Sequence, residues 1–419
     1  MRTPRNSPFR PGSDTVPEVW AGRTEQLNDW STVLRPRLTG GIEERGRTIL
    51  GEPGLGKSTL VRRIAQSAQE HGDWVTKQIR IPLNSDPLKA VSAAVLDLAD
   101  QAGLSASRNR KVQDLLKRVR TVSVKGTSIS LDRAEGPEPH TALTDLLLEV
   151  GNEARKAEVA VLIHIDEVQN ISDQQALSQL LVALGDAITH QELVAIPGGK
   201  QRMVFPIAVY LTGLPEFSEN ANSNHGATFT RRFNTVTLSP ISDADLLLAL
   251  QPFIRDGWPV IDDSGNPGAV RMSQDAAELV VKLCYGEPFL FQLLGYRTWL
   301  AGKDDRIEVE DVERGWDAMS DEATRHVEKV LDSLPKKERE FIETMAEMDP
   351  SDWTLTKIAQ RAGYAGASAA GATARRLDTS RGIISRGKRY SFRHRAIEAY
   401  LTTGWPFEVT VNGPASSSS

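Results

Sequence analysis

The 419-residue sequence predicts an α/β protein: a mostly parallel sheet, then a helical segment, then a small basic C-terminal module. Three observations lead there. Between Arg47 and Thr212, strand-length apolar runs alternate with longer helical patterns, the order of a parallel sheet with helices on both faces. One of those runs stops in a glycine-rich loop that opens a helix. From about residue 241 to about Leu334 the pattern is helical almost throughout, as expected of a bundle that follows the sheet.

The first thirty or so residues, rich in Pro and Gly, read as an irregular arm ending near "WAGRTEQL". The predicted strands are "RTILG", "WVTKQIRI", "VAVLIHID" and "PIAVYLT". Between them lie the helical patterns "STLVRRIAQSAQE", "PLKAVSAAVLDLADQAG" and "HTALTDLLLEVGNEARK". "VSVKGTSISL" alternates with period two about Gly126 and predicts an inserted hairpin. After Pro335 come three short helices, "KKEREFIETMAEM", "TLTKIAQRAGY" and "ASAAGATARRLDTSR", and a ribbon made of "GIISRGK" and "RYSFRH". Three helices followed by a hairpin is the order of a winged helix. The final "NGPASSSS" is low-complexity and predicts disorder.

Composition narrows the class. Hydrophobic residues at 40% and charged residues at 25% permit a sizeable core in a soluble protein. The single cysteine, Cys284, excludes an intramolecular disulfide and a cysteine-based zinc site. No apolar run approaches the ~18 residues that span a bilayer. The start "MRTPRNSPFRPGSD" lacks the apolar stretch of a secretory signal. The expectation is a cytoplasmic protein without a membrane partner. Net charge is −5, but residues 357–395 hold ten basic residues and one acid, so this span carries +9 and the rest −14. Such an asymmetry needs a partner or an internal explanation.

Gly51, Glu52, Pro53, Gly54, Leu55, Gly56, Lys57 and Ser58 fit G-x-x-x-x-G-K-[ST], with a predicted strand before and a helix after. Bare backbone at the glycines lets amides wrap phosphate oxygens, and the helix start adds its positive end. Lys57 is placed to reach the β- and γ-phosphates of ATP, Ser58 to ligate Mg²⁺, and Thr59 continues the phosphate cradle. The second half of such a site is an acid at the end of another buried strand. "VAVLIHIDE" supplies Asp166, a candidate Mg²⁺ ligand, and Glu167, a candidate base for an attacking water.

On these motifs the chain resembles AAA+ ATPases of the origin-recognition-complex-like type, over roughly residues 8–401, and shares features with STAND signalling ATPases. The resemblance implies an N-terminal arm (1–30), an ATPase core (31–240), a helical lid (241–334), a winged helix (335–404) and a disordered tail (405–419). It implies that "PFRPGSDTVPEVWAGR" lies against the adenine, with Val16, Pro17 and Trp20 as candidates. It makes Thr212 the sensor of the γ-phosphate, and Arg231 or Arg232 an arginine finger given in trans within a homo-oligomer. "CYGEPFLFQLLGYR" matches the lid motif at Gly286 and Pro288, and Arg297 is the nearest candidate for a lid arginine.

The basic segment coincides with the third helix and the wing. Arg375 and Arg376 lie on the helix that would enter a major groove; Arg386, Lys388 and Arg389 lie at the hairpin tip. That helix lacks Asn or Gln for reading adenine edges, so backbone contact with duplex DNA is the expected mode. The rival reading follows the STAND resemblance. There the winged helix is a latch that closes on ADP, His394 in "RYSFRHRAIEAYL" touches the phosphates, and a protein partner receives the signal. Arg395 stands where that motif has aspartate. A metabolic kinase is disfavoured, because no acceptor-binding motif accompanies the phosphate loop.

Overall fold

The computed structural model describes residues 2–12, 15–104, 139–218, 221, 231–262 and 264–403. The hairpin predicted about Gly126 and the C-terminal tail lie outside the described residues.

Strands form where the predicted apolar runs lie. They are β1 (Gly46–Leu50), β2 (Trp74–Val75) with β3 (Ile79–Arg80), and β4 (Val161–Asp166). β5 (Gln191–Ile196) and β6 (Gly199–Val204) follow, then β7 (Ile207–Gly213) and β8 (Phe233–Thr237). The main sheet runs in the order β2–β4–β7–β1–β8, with β3 also on β4, and every pairing in it is parallel. β4 and β7 are buried along their full length, as expected of central strands covered on both faces. β5 and β6 form a separate antiparallel hairpin. It had no counterpart among the predicted elements, because its residues are almost all exposed and show no buried face.

The helices that cover the sheet match the predicted ones: α3 (Lys57–Glu70), α4 (Pro87–Gln101) and α5 (Pro139–Lys156), joined by α6 (Gln174–Thr189). They are preceded by short turns of helix, α1 (Thr24–Asn28) and α2 (Arg35–Thr39). Asp86 and Asp173 start α4 and α6 by accepting hydrogen bonds from first-turn amides. One face of the sheet packs Val91, Leu147, Leu180 and Val209; the other packs Trp30, Leu60, Ile64 and Tyr210.

The second body is helical: α7 (Asp243–Arg255), α8 (Gln274–Leu283), α9 (Pro288–Ala301) and α10 (Val309–Asp332). It also contains a small sheet of β9 (Trp258–Ile261), β10 (Pro267–Met272) and β11 (Arg306–Ile307), which corrects the helical expectation for this stretch. "WPVI" is too short to display alternation. What makes it a strand is its pairing with β10, whose Val270 and Met272 are buried beside Val260 in the helical core.

The C-terminal elements are α11 (Lys336–Ala346), α12 (Leu355–Arg361), α13 (Ala367–Arg375), the hairpin β12 (Ile384–Ser385) with β13 (Ser391–Phe392), and α14 (Arg395–Thr403). The same apolar cluster that holds Leu250 and Trp299 continues through Phe341, Ile358, Ile384 and Ile397. The helical body and the C-terminal elements therefore share one core. The arm belongs to it as well: Phe9 is fully buried, stacked on Phe253 at 5.7 Å, and it approaches Gly295 so closely that a Cβ there would lie 2.3 Å from its ring. Arg2 is buried too, bonded to Asp304 and Asp311.

Candidate nucleotide-binding site

β1 ends at Leu50 and α3 begins at Lys57, so residues 51–56 turn the chain at the C-terminal edge of the parallel sheet, where open α/β sheets bind ligands. Gly54 and Gly56 sit at φ 86° and 79°, the left-handed region that side chains rarely adopt. Gly54 has a second constraint: a Cβ would lie 2.4 Å from the His326 ring.

Above this loop is a cavity of about 450 Å³. Residues 53–59 form one wall, and Glu167 stands at the same end. Pro17, Val19 and Trp20 of the arm, and Pro288, Phe289 and Gln292 at the start of α9, close the remainder. The arm and the lid motif are thus brought to the phosphate loop. Val16 is not among the lining residues. A cavity of this size, apolar at one end and rich in amides and cationic groups at the other, has the character of a small-molecule site.

Lys57 Nζ donates to the carbonyls of Gly51, at 2.7 Å, and Glu52, at 3.1 Å. Burial pushes its ammonium below the usual lysine range, against the field of Glu52 and Glu167. Desolvated in this way, it gains from an anionic neighbour. Arg23 also lines the cavity and donates to the Leu55 carbonyl at 3.0 Å. Burial lowers its guanidinium to about 10. Arg23 lies in the arm pattern but carried no assigned role; its left-handed backbone, φ 62°, is what turns the arm into α1, and no sequence pattern predicts it.

Asp166 ends β4 behind Ser58. Its Oδ1 accepts from the Ser58 hydroxyl at 3.1 Å, the Thr212 hydroxyl and the Glu167 amide at 3.0 Å, and its Oδ2 accepts from Gln78. Burial works to raise the Asp166 carboxyl, but these bonds and the field of His164 outweigh it, so it is held below the ordinary aspartate range. His164 lies in the middle of β4, and burial lowers it to about 4. It is therefore neutral near pH 7, and its Nε2–H donates to the Thr212 oxygen, 2.9 Å away, while Thr212 donates onward to Asp166. Thr212 is fully buried and does not line the cavity; it positions Asp166.

Glu167, immediately after the strand, has left-handed backbone at φ 59°, an uncommon conformation that concentrates at functional sites. It is exposed to the cavity and accepts from Gln169. Ser58 and Asp166 together offer hard oxygen donors beside the loop, a set suited to Mg²⁺, which keeps most of its ligands as water and substrate oxygens.

Glu52 departs from the expected cradle. Its carboxylate is fully buried and turned away from the cavity, toward Arg381. Glu287, before Pro288, is also fully buried, with His326 Nε2 at 2.7 Å and His394 Nδ1 at 3.1 Å. Burial works to raise Glu287, but the two imidazoles outweigh it and hold it at about 2. Burial lowers His394, and Glu287 more than offsets this, so the net direction is up. Arg297 pairs with Glu322 and does not reach the cavity. Of the two finger candidates, Arg232 pairs with Asp186 at 2.8 Å, whereas Arg231 is exposed and makes no ion pair among the described residues.

The basic segment is partly answered from within. Arg376 and Arg381 bind Glu338, Arg386 and Arg393 bind Asp378, and Arg395 binds Asp243. Arg375 and Lys388 are exposed without an ion pair among the described residues, and Arg389 beside them is exposed as well.

The family model described as the AAA ATPase domain matches residues 19–196. The Walker-type ATPase PABY2304 of Pyrococcus abyssi is similar in structure, with a TM-score of 0.55 at 14% identity over 91% of this chain and 96% of that one. The Aeropyrum pernix ORC2 protein, in ADPNP–ADP complexes, has a TM-score of 0.53 at 16% identity over 94% and 97%. No curated protein matches the chain in sequence. Residues 19–196 are thus similar to the AAA ATPase domain, and the chain has the fold of the origin-recognition-complex-like AAA+ P-loop ATPases.

Proposed function

We propose that this protein is an ATP-binding and ATP-hydrolysing switch whose C-terminal module, a winged helix in our reading, couples the nucleotide state to duplex DNA. The observation that carries the ATPase part is the convergence of Lys57, Ser58 and Glu167 on one end of a cavity closed by arm and lid, with Asp166 fixed behind them. Residues 54–59 cradle the phosphates through backbone amides, and Lys57 neutralises the β- and γ-oxygens. Mg²⁺ held by Ser58 and Asp166 would neutralise charge that develops on the phosphoryl oxygens. Glu167 accepts a proton from water as that water attacks the γ-phosphorus; the bond to the β–γ bridging oxygen breaks, and ADP and phosphate form. Thr212 and His164 keep the Asp166 carboxylate oriented throughout. In an oligomer, Arg231 is the better-placed finger, because Arg232 is already engaged within its own chain.

The DNA part rests on Arg375 on α13 and on Lys388 and Arg389 at the hairpin tip, which are exposed. Arg376 and Arg386 retain partial exposure and can contribute by exchanging an acid for a phosphate. Binding of a labelled duplex followed by anisotropy across a salt series tests this. A steep salt slope is expected, and substituting Lys388 and Arg389 with alanine should lower it by about two, close to one unit per lost phosphate contact. Absence of binding at low salt with every nucleotide would remove DNA from the reading. The second reading, a latch acting on a protein partner, would then stand on the burial of His394 against Glu287 beside the phosphate loop.

A further inference from the structure

The sheet body and the helical body have separate apolar cores, and polar contacts join them at the phosphate loop. The Phe289 amide donates to the Gly54 carbonyl at 3.2 Å, and His326 lies against Gly54. A third contact comes from much further along the chain. Arg381, which follows α13 and lies just before β12, is 6% exposed. Its Nη1 donates to Glu52 of the phosphate loop at 3.1 Å and to Glu216, in the segment after β7, at 3.4 Å. Its Nε donates to Glu338 on α11 at 2.8 Å. Glu338 has a second cation, Arg376, at 2.7 Å, whereas among the described residues Glu52 has no other hydrogen-bond partner for its buried carboxylate.

We infer that Arg381 is a positioning residue of the nucleotide site: by gripping Glu52 it holds the helical body closed over the phosphate loop and retains bound nucleotide. This rests on the nucleotide site proposed above and assigns to that site a component from the C-terminal module. The direction follows from the cavity. Pro288, Phe289 and Gln292 form its wall only while the helical body is in place, and that body is fastened to the loop through Arg381. A planar fork bridging three carboxylates is a task for arginine, since an ammonium cannot present the same spaced donors. Coupling of this kind is reciprocal: whatever loosens the grip on Glu52 weakens nucleotide binding by the same factor by which nucleotide tightens the grip.

The test is the dissociation rate of N-methylanthraniloyl-ADP from the full chain, measured by stopped flow. Arg381→Gln and Glu52→Gln are each expected to speed dissociation by about tenfold, within the about 5–150-fold range of ordinary coupling energies. Because both remove the Arg381–Glu52 contact, the double variant should be no faster than the faster single variant. Arg381→Lys should recover part of the retention. Arg381→Gln leaves a buried Glu52 unpaired, so if it fails to fold, Arg381→Lys and the charge-neutral double variant carry the comparison, with thermal unfolding as the control. A dissociation rate within twofold of wild type in Arg381→Gln, or in the double variant where Arg381→Gln does not fold, or effects that multiply in the double variant, would overturn the inference. A wild-type protein that does not bind the probe, or a Lys57→Ala variant that binds it equally well, would instead sink the nucleotide site itself.

Discussion

Replacing Lys57 with alanine is expected to weaken MgATP binding by about 100-fold or more while leaving the fold intact. Lys57 is buried, and among the described residues its ammonium donates to the carbonyls of Gly51 and Glu52. Burial lowers its pKa because these bonds and the fields of Glu52 and Glu167 compensate desolvation incompletely. A triphosphate supplies the missing countercharge. Charge-assisted hydrogen bonds contribute about 1.5–3 kcal/mol each, and every 1.4 kcal/mol is about tenfold in affinity. Two such bonds to the β- and γ-oxygens account for the expected loss. Titration with a fluorescent ATP analogue measures it. Because removing Lys57 frees carbonyls that adjoin the cavity and can accept water, circular dichroism should be unchanged. An unaltered affinity would mean that these glycines form only a turn.

Glu167→Gln is expected to retain ATP affinity within a few-fold and to lower the hydrolysis rate by about 10²–10⁴-fold, the usual worth of a positioned general base. The amide keeps the size of the carboxylate and its link to Gln169, but accepts no proton. Single-turnover phosphate release separates the two quantities: a fall in rate at constant affinity marks an interaction made only in the transition state. Parallel loss of affinity and rate would show that Glu167 serves the loop's shape, as its left-handed backbone could suggest, and not the chemistry.

The parts of this site that read directly from the sequence are those in which one local segment carries the chemistry. Residues 51–58 combine strand end, glycines and helix start within a single turn, and Asp166 and Glu167 end an apolar run that only a buried strand explains. The strand β8, which follows Arg231 and Arg232, was hidden, because "FNTVT" has a buried Phe233 but two exposed residues next to it and no continuous apolar run. Long-range charge pairing was invisible in the same way. The +9 of residues 357–395 invites an external polyanion, yet much of it is met by Glu338, Glu52, Asp352 and Asp243, acids spread across the chain. Glu52 itself matched the motif by position while its side chain turned out to face Arg381, 329 residues downstream. Such pairs are fixed by how two bodies meet, which no local period encodes.

The central claim is that nucleotide state controls engagement of duplex DNA, and one measurement addresses it directly. Anisotropy of a labelled duplex is recorded with the Glu167→Gln protein in the presence of MgATP, MgADP or no nucleotide, at one low salt concentration. The account predicts tighter binding with ATP than with ADP or without nucleotide, by about tenfold or more, a coupling of typical size. Equal binding in all three states would contradict it, for then the cavity at the phosphate loop and the exposed basic face of the C-terminal module would be two sites without communication.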